Sequence, residues 1–204
     1  MCNLISFAMR FFSFFLLSVF VLFSSGCTVR TGFFTADAYL RPHQVEVKQP
    51  LTIIIDQYIP NDLSVGQLQV TNFRHSLKIS LYHTFEYSVP KIVFADSVAT
   101  EGITLQLFRV RPDWQVADRR SGFLVVDGNG GSYTDTDVIS IIRYDGIIYH
   151  DGQKKLALDE LVESETAAII RRDLPEVFQD GVRELCEDVY QKVTQQAVAS
   201  RFDE

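Results

Sequence analysis

Phe73, Leu77, Leu81 and Phe85 stand four residues apart, a spacing that brings all four onto one face of a helix. Asn72 is placed to cap that helix, and Pro90 requires it to end beforehand. A longer stripe runs through Phe178, Val182, Leu185, Val189 and Val193. Asp173 and Glu176 form a capping-box pattern at its start, with Pro175 in the first turn, where its missing N–H does no harm. Residues 166–172 are read as a backward extension of this helix, kinked near Pro175.

Outside the two stripes the period of four gives way to short apolar runs and a period of two. Residues 51–59, LTIIIDQYI, make an apolar run closed by Pro60, Asn61 and Asp62, and predict a buried strand. Residues 91–96 predict another. In residues 102–111, Ile103, Leu105, Leu107 and Val110 mark one face of an antiparallel strand, with Phe108 out of phase. Shorter strands are predicted at residues 122–126 and 136–144. Asp145-Gly146 and Asp151-Gly152 are both two-residue hairpin signals, which leaves residues 147–150 as a short strand between tight turns. The predicted fold class is α+β: a two-layer sandwich, mainly antiparallel, with two helices on one face of the sheet.

The N-terminus follows different rules. Residues 11–23, FFSFFLLSVFVLF, are uncharged, follow Arg10 and stop at Ser24, Ser25, Gly26 and Cys27. A basic residue, a short apolar core and small residues at a cleavage site are the parts of a secretory signal. A bilayer-spanning helix needs about 20 apolar residues, more than this run supplies. Met9-Arg10 would itself make a compact signal start, so Met1 and Met9 are both open as the first residue.

Ser25, Gly26 and Cys27 resemble the lipobox of bacterial lipoproteins, in which the cysteine is acylated and becomes the new N-terminus. Ser24 departs from the pattern, which usually has Leu there. The resemblance implies a signal peptide over residues 1–26 and lipid, including palmitate, on Cys27. It implies a tether over residues 27–50 and one periplasmic domain over residues 51–200. Thr28 follows the cysteine in place of Asp, which by resemblance to enterobacterial sorting implies the outer membrane. Several acyl chains together give stable anchoring, at about 0.8 kcal/mol per buried CH₂.

Composition narrows the function classes. Removing 26 of 204 residues leaves 178, enough for one domain with its own core. Only Arg10 among charged residues leaves with the signal, so net charge goes from −7 to −8. That acidity argues against nucleic-acid binding, which needs a basic footprint. With Cys2 removed and Cys27 acylated, Cys186 is left without an intramolecular disulfide partner. It lies beside the apolar stripe of the last helix, where a cysteine behaves as a small hydrophobe.

Few residues suggest chemistry. The run DGNGGSYTDTD offers oxygen ligands at Asp127, Asn129, Asp135 and Asp137, the type calcium prefers. Against the EF-hand template it fails: Gly131, Ser132 and Val138 stand where an acid, a glycine and the bidentate glutamate belong. His75 and His83, eight apart, are about 12 Å apart along a helix and cannot share an ion. No HExxH, P-loop, G-x-G-x-x-G or G-x-S-x-G occurs. A His150-Asp151 pair reads as the corner of a turn, its two side chains on opposite sides of a strand. No cofactor and no catalytic residue is assigned.

Trp114, after Pro112-Asp113 in a predicted loop, is either a partner or headgroup contact or an edge of the core, and the core is favoured. Arg109, Arg111, Arg119 and Arg120 surround it as the basic neighbourhood of an acidic chain, a place for an anionic partner. The element order over residues 50–200 also loosely resembles the small α/β lipoproteins that assist envelope transport machines. These include auxiliary lipoproteins of ABC-type transport systems and the lipoprotein plugging the lipopolysaccharide-assembly barrel. That resemblance rests on layout. The expected function is a non-enzymatic, periplasm-facing lipoprotein that binds a protein partner in an envelope complex; a small-ligand or calcium-binding lipoprotein is the alternative.

Overall fold

A computed structural model of the chain describes residues 29–32, 46–66, 68–116, 125–126, 132–133, 138–167 and 173–199. The centre of its main sheet is β2 (Leu51–Ile55), the apolar run LTIII. Leu51, Thr52, Ile53 and Ile54 are all buried. A strand covered on both faces lies between parallel neighbours. Here those are the edge strand β5 (Ile92–Phe94) and β6 (Ile103–Val116). β6 pairs antiparallel on its other side with β9 (Val138–His150), and β9 pairs with β10 (Gln153–Glu163). The order is β10-β9-β6-β2-β5, a mixed sheet whose longest ladders are antiparallel.

Two helices, α1 (Phe73–Phe85) and α2 (Leu174–Ala199), cover one face. Each stripe residue of α1 is fully buried, and those of α2 are exposed by 2% or less. Each such Leu, Val or Phe contributes about 1.5–3 kcal/mol by leaving water. The helices meet through Phe73 on Phe178, ring centroids 6.1 Å apart, and Phe85 on Tyr190, 5.4 Å apart. The predicted α+β class is therefore the observed one.

A small second sheet has the order β1-β4-β3, from β1 (Val29–Gly32), β3 (Leu63–Val65) and β4 (Leu68–Thr71). β1 runs parallel to β4, Val29 opposite Leu68. Part of the stretch read from sequence as a tether is thus a strand of the domain. A two-stranded ribbon, β7 (Val125–Val126) with β8 (Ser132–Tyr133), lies within the predicted short strand at residues 122–126 and beyond it.

Several sequence expectations are corrected. Asp145-Gly146 is not a turn; β9 runs straight through it. A Cβ on Gly146 would lie 2.6 Å from the carbonyl oxygen of Gln106, so this glycine serves close strand approach, not reversal. Beside it the β6–β9 register shifts between Leu107 and Arg109, a bulge at Phe108. Phe108 looked out of phase because it is the extra residue. The reversal comes at Asp151 and Gly152, both at positive φ (49° and 74°), joining His150 to its partner Gln153.

Trp114 is in β6, not in a loop. Asn72 precedes α1 but does not cap it: at φ 56° its side chain makes no capping bond. Its own N–H donates to the Asp62 carboxylate at 3.0 Å, and the Phe73 N–H donates to the Asn61 carbonyl at 2.6 Å. The residues read as a strand-closing turn therefore organise the helix start. Thr166 lies in a bend rather than a helical extension, its N–H and hydroxyl both donating to Asp180 (2.8 and 2.9 Å). Residues 168–172 lie outside the described residues.

β10 carried no strand signal because its inward positions, Leu156, Leu158, Glu160 and Val162, include an acid. Glu160 is accommodated there by an ion pair with Lys192 of α2.

Candidate functional site: a cleft beside β6 and an open edge at β5

β6 outruns β2. Their pairing ends at Ile55 opposite Leu107, and the last link is the Asp56 N–H donating to the Leu107 carbonyl at 2.9 Å. Past that point the chain swings away through Tyr58 and Pro60 into β3, opening a cleft of about 380 Å³. Arg109, Val110, Arg111 and Pro112 form one wall, and Tyr58, Leu63 and Val65 the other. Tyr58 is 80% exposed. Further along β6, the Trp114 indole N–H donates to the Val65 carbonyl at 2.8 Å, and its ring lies 6.5 Å from Phe178. It is half-buried against the core, the favoured sequence reading.

Arg109 and Arg111 thus share a wall of one cleft. They are not equivalent. Arg109 lies 2.6 Å from Asp145, its direct cross-strand partner. Arg111 stands directly opposite Arg143 of β9, and both are exposed. Among the described residues neither Arg111 nor Arg143 has a carboxylate partner within ion-pair distance. Like charges directly opposite are unfavourable by a few tenths to about 1 kcal/mol. Arg143 was not singled out from sequence, since only register shows it to be Arg111's neighbour. Arg119 and Arg120 lie outside the described residues.

The second feature is the outer edge of β5, which ends the strand order. Val93 and Phe94 are over one third exposed, and Lys78 of α1 places its ammonium 5.8 Å from the Phe94 ring centroid. Tyr82, one turn after Lys78, is exposed, and Tyr87 is 85% exposed just past the helix. This aromatic edge was not foreseen either. The sequence signal, a β-rich run with two tyrosines upstream, is identical for a covered strand.

Other chemical readings are quickly placed. Asp127, Asn129, Asp135 and Asp137 lie outside the described residues, and among the described ones no three acids, histidines or cysteines are grouped to hold a metal. His150 is at the corner of the turn, but its ring and Asp151 approach to 3.5 Å instead of diverging. The other ring nitrogen is 3.0 Å from Gln49. Asp151 also accepts from the Gly102 N–H at 2.7 Å, so its carboxylate fixes the turn. Cys186 is fully buried, and burial pushes its thiol up to about 12 against the opposing hydrogen bond of Thr84. A thiol held protonated is no nucleophile. Tyr144 is buried with its hydroxyl donating to Asp188. Burial first, then that bond, drive its phenol far above the ordinary range.

No family model matches the sequence. No curated protein matches it either. Similar layouts occur among solved structures. Protein XCC0632 from Xanthomonas campestris is 11% identical, with TM-score 0.49, over 79% of this chain and 91% of that one. Rare lipoprotein B from Shewanella oneidensis is 12% identical, with TM-score 0.40, over 76% and 97%. A minor lipoprotein from Acinetobacter baumannii is 12% identical, with TM-score 0.39, over 74% and 94%. A likeness this distant lends no function, partner or residue role.

Proposed function

We propose that this chain is a lipid-anchored, non-enzymatic protein of the bacterial envelope. Cys27 carries the lipid in the outer membrane, the domain faces the periplasm, and it serves an assembly or transport complex by binding a protein partner. The observation that carries partner binding is the open β5 edge. Among the described residues β5 has no partner on its outer edge, and with exposed Val93 and Phe94 it offers main-chain hydrogen bonds and apolar contacts at once. Tyr82 and Tyr87 add aromatic area of the kind that anchors interfaces. A lipid tether raises the effective concentration of a weak binder at the membrane, so modest affinity suffices.

The test is a photo-crosslinking amino acid at Phe94 in the lipidated protein within cells. A discrete protein adduct, absent when the crosslinker replaces exposed Gln153 at the opposite edge, is the expected result. No adduct from Phe94, or turnover of an envelope substrate by the purified protein alone, would sink the reading. Intact mass of the membrane-extracted protein beside Cys27→Ala tests the anchor separately.

A further inference from the structure

We propose that the face bearing Arg111 and Arg143 seats on the anionic lipid headgroups of the same membrane that holds Cys27. This rests on the reading of Cys27 as the acylated residue. The starting point is β1. Cys27 precedes Val29 by two residues, which span at most about 7 Å. Val29 is fixed opposite Leu68, and Leu68 opposite Val65 on the cleft wall. With strands about 4.8 Å apart, the acylated residue is held within roughly 20 Å of Val65. The anchor is therefore a short leash leading into β1, two strands from the Val65 wall of the cleft.

Charge is arranged to match. Arg109, Arg111 and Arg143 form a group on the side of the sheet nearest the cleft. Asp145 is engaged by Arg109, and Asp113 accepts from the Trp114 N–H at 2.8 Å. The remaining carboxylates of this sheet face, Asp159 and Glu163, are on β10, the edge strand farther from the cleft. β10 also carries exposed Lys154 and Lys155, so what meets an anionic surface is the Arg111–Arg143 pair itself. The Arg111–Arg143 repulsion falls when a phosphate lies between the two guanidiniums, which suit phosphate geometry. Exposed Tyr58 in the cleft is the amphipathic contact a headgroup layer accepts. Both helices lie on the opposite face, so nothing in them obstructs this approach.

Trp114 is the chain's single tryptophan and its indole is bonded to Val65 of the cleft wall, so it reports the contact without mutation. The lipidated full chain is reconstituted into vesicles of phosphatidylcholine alone, or with phosphatidylglycerol, each doped with a dansyl-headgroup lipid. Energy transfer from Trp114 to dansyl should be strong in the anionic vesicles and weak in the neutral ones. It should collapse near 1 M salt, where the Debye length is about 3 Å. Arg111→Gln and Arg143→Gln should each weaken seating about fivefold, the worth of one basic residue near an anionic leaflet. Both residues are exposed, so an unchanged far-ultraviolet circular dichroism spectrum shows the variants are folded.

Equal transfer in neutral and anionic vesicles, or in wild type and the double variant, overturns the proposal. So does a photo-crosslinker at Arg111 that captures a protein in cells and no lipid. Intact mass of the same reconstituted sample reads the anchor independently. An unacylated Cys27 removes the leash and this inference with it, whereas an acylated Cys27 with charge-independent transfer removes the inference alone.

Discussion

Gly181 of α2 rests directly on Ser140 of β9: a Cβ built on the glycine would lie 2.7 Å from the serine Oγ and 3.0 Å from its Cβ. A glycine in a helix interior costs about 1 kcal/mol relative to alanine, so on local grounds it should be replaced. The contact explains why it is tolerated. α2 needs to come this close to the sheet to bury Val182 and Leu185 to 1% and 0% exposure.

Gly181→Ala is therefore expected to lower stability by about 1–3 kcal/mol through overpacking, despite its better helix propensity. The double variant Gly181→Ala with Ser140→Gly should recover most of the loss. Urea unfolding of the three proteins checks this; a stabilised single variant would mean the helix–sheet distance is soft.

Tyr144 is fully buried and its hydroxyl donates to Asp188, which Lys192 also approaches at 3.7 Å. Lys192 in turn pairs with Glu160 of β10. Tyr144→Phe removes the donor and leaves the carboxylate to Lys192 alone. The expected cost is about 1.5–3 kcal/mol, the range for a hydrogen bond to a charged group. Thermal unfolding of Tyr144→Phe beside Tyr144→Phe/Asp188→Asn should show coupling between the sites, and strict additivity would contradict the network.

Cys186 should resist thiol reagents in the folded protein and react only after denaturation, because it is fully buried and its thiol is pushed up to about 12. Alkaline behaviour follows from the sign of that shift. A thiol raised from 9.0 in the folded state gives stability that is whole below that value and is lost as pH rises toward about 12. The melting temperature should thus fall over this range, less steeply in Cys186→Ala. Labelling by maleimide in the native state, read by intact mass, would refute the burial argument.

Arg143→Gln should raise stability by a few tenths of a kcal/mol, up to about 1 kcal/mol, by removing the like charge opposite Arg111. Arg109→Gln should do the reverse, or nothing, since it removes a pairing with Asp145 that is partly exposed. Chemical denaturation in low salt is the measurement. A destabilised Arg143→Gln would mean that Arg143 has a partner the like-charge argument leaves out.

What the sequence determined by itself was local and periodic. The stripes 73-77-81-85 and 178-182-185-189-193 specified two helices, because a 3.6-residue repeat has one way to gather apolar side chains. The run 51–59 announced a buried strand, of which residues 51–55 are one and 56–59 turn away, and Phe108 announced a break in phase that proved to be a bulge. The resemblance of Ser25, Gly26 and Cys27 to a lipobox was likewise visible without a fold, since the pattern is linear; the lipid it implies is an expectation.

The tertiary structure decided whatever depends on a neighbour far along the chain. Asp145-Gly146 satisfies the chemistry of a turn, and only the carbonyl of Gln106 shows that the glycine serves a close strand crossing. Glu160 hides the alternation of β10 because its counter-ion, Lys192, comes from a helix 32 residues away. Arg111 stood out in sequence within a basic neighbourhood, but register alone makes Arg143 its like-charged neighbour. Trp114 read as a loop residue because Pro112 and Asp113 precede it. It is a strand residue because β6 pairs it with Ser140 of β9, and Val65 accepts its indole N–H from 49 positions away. Periodicity fixes which face of an element is apolar. What that face meets is settled by long-range pairing, which no local pattern encodes.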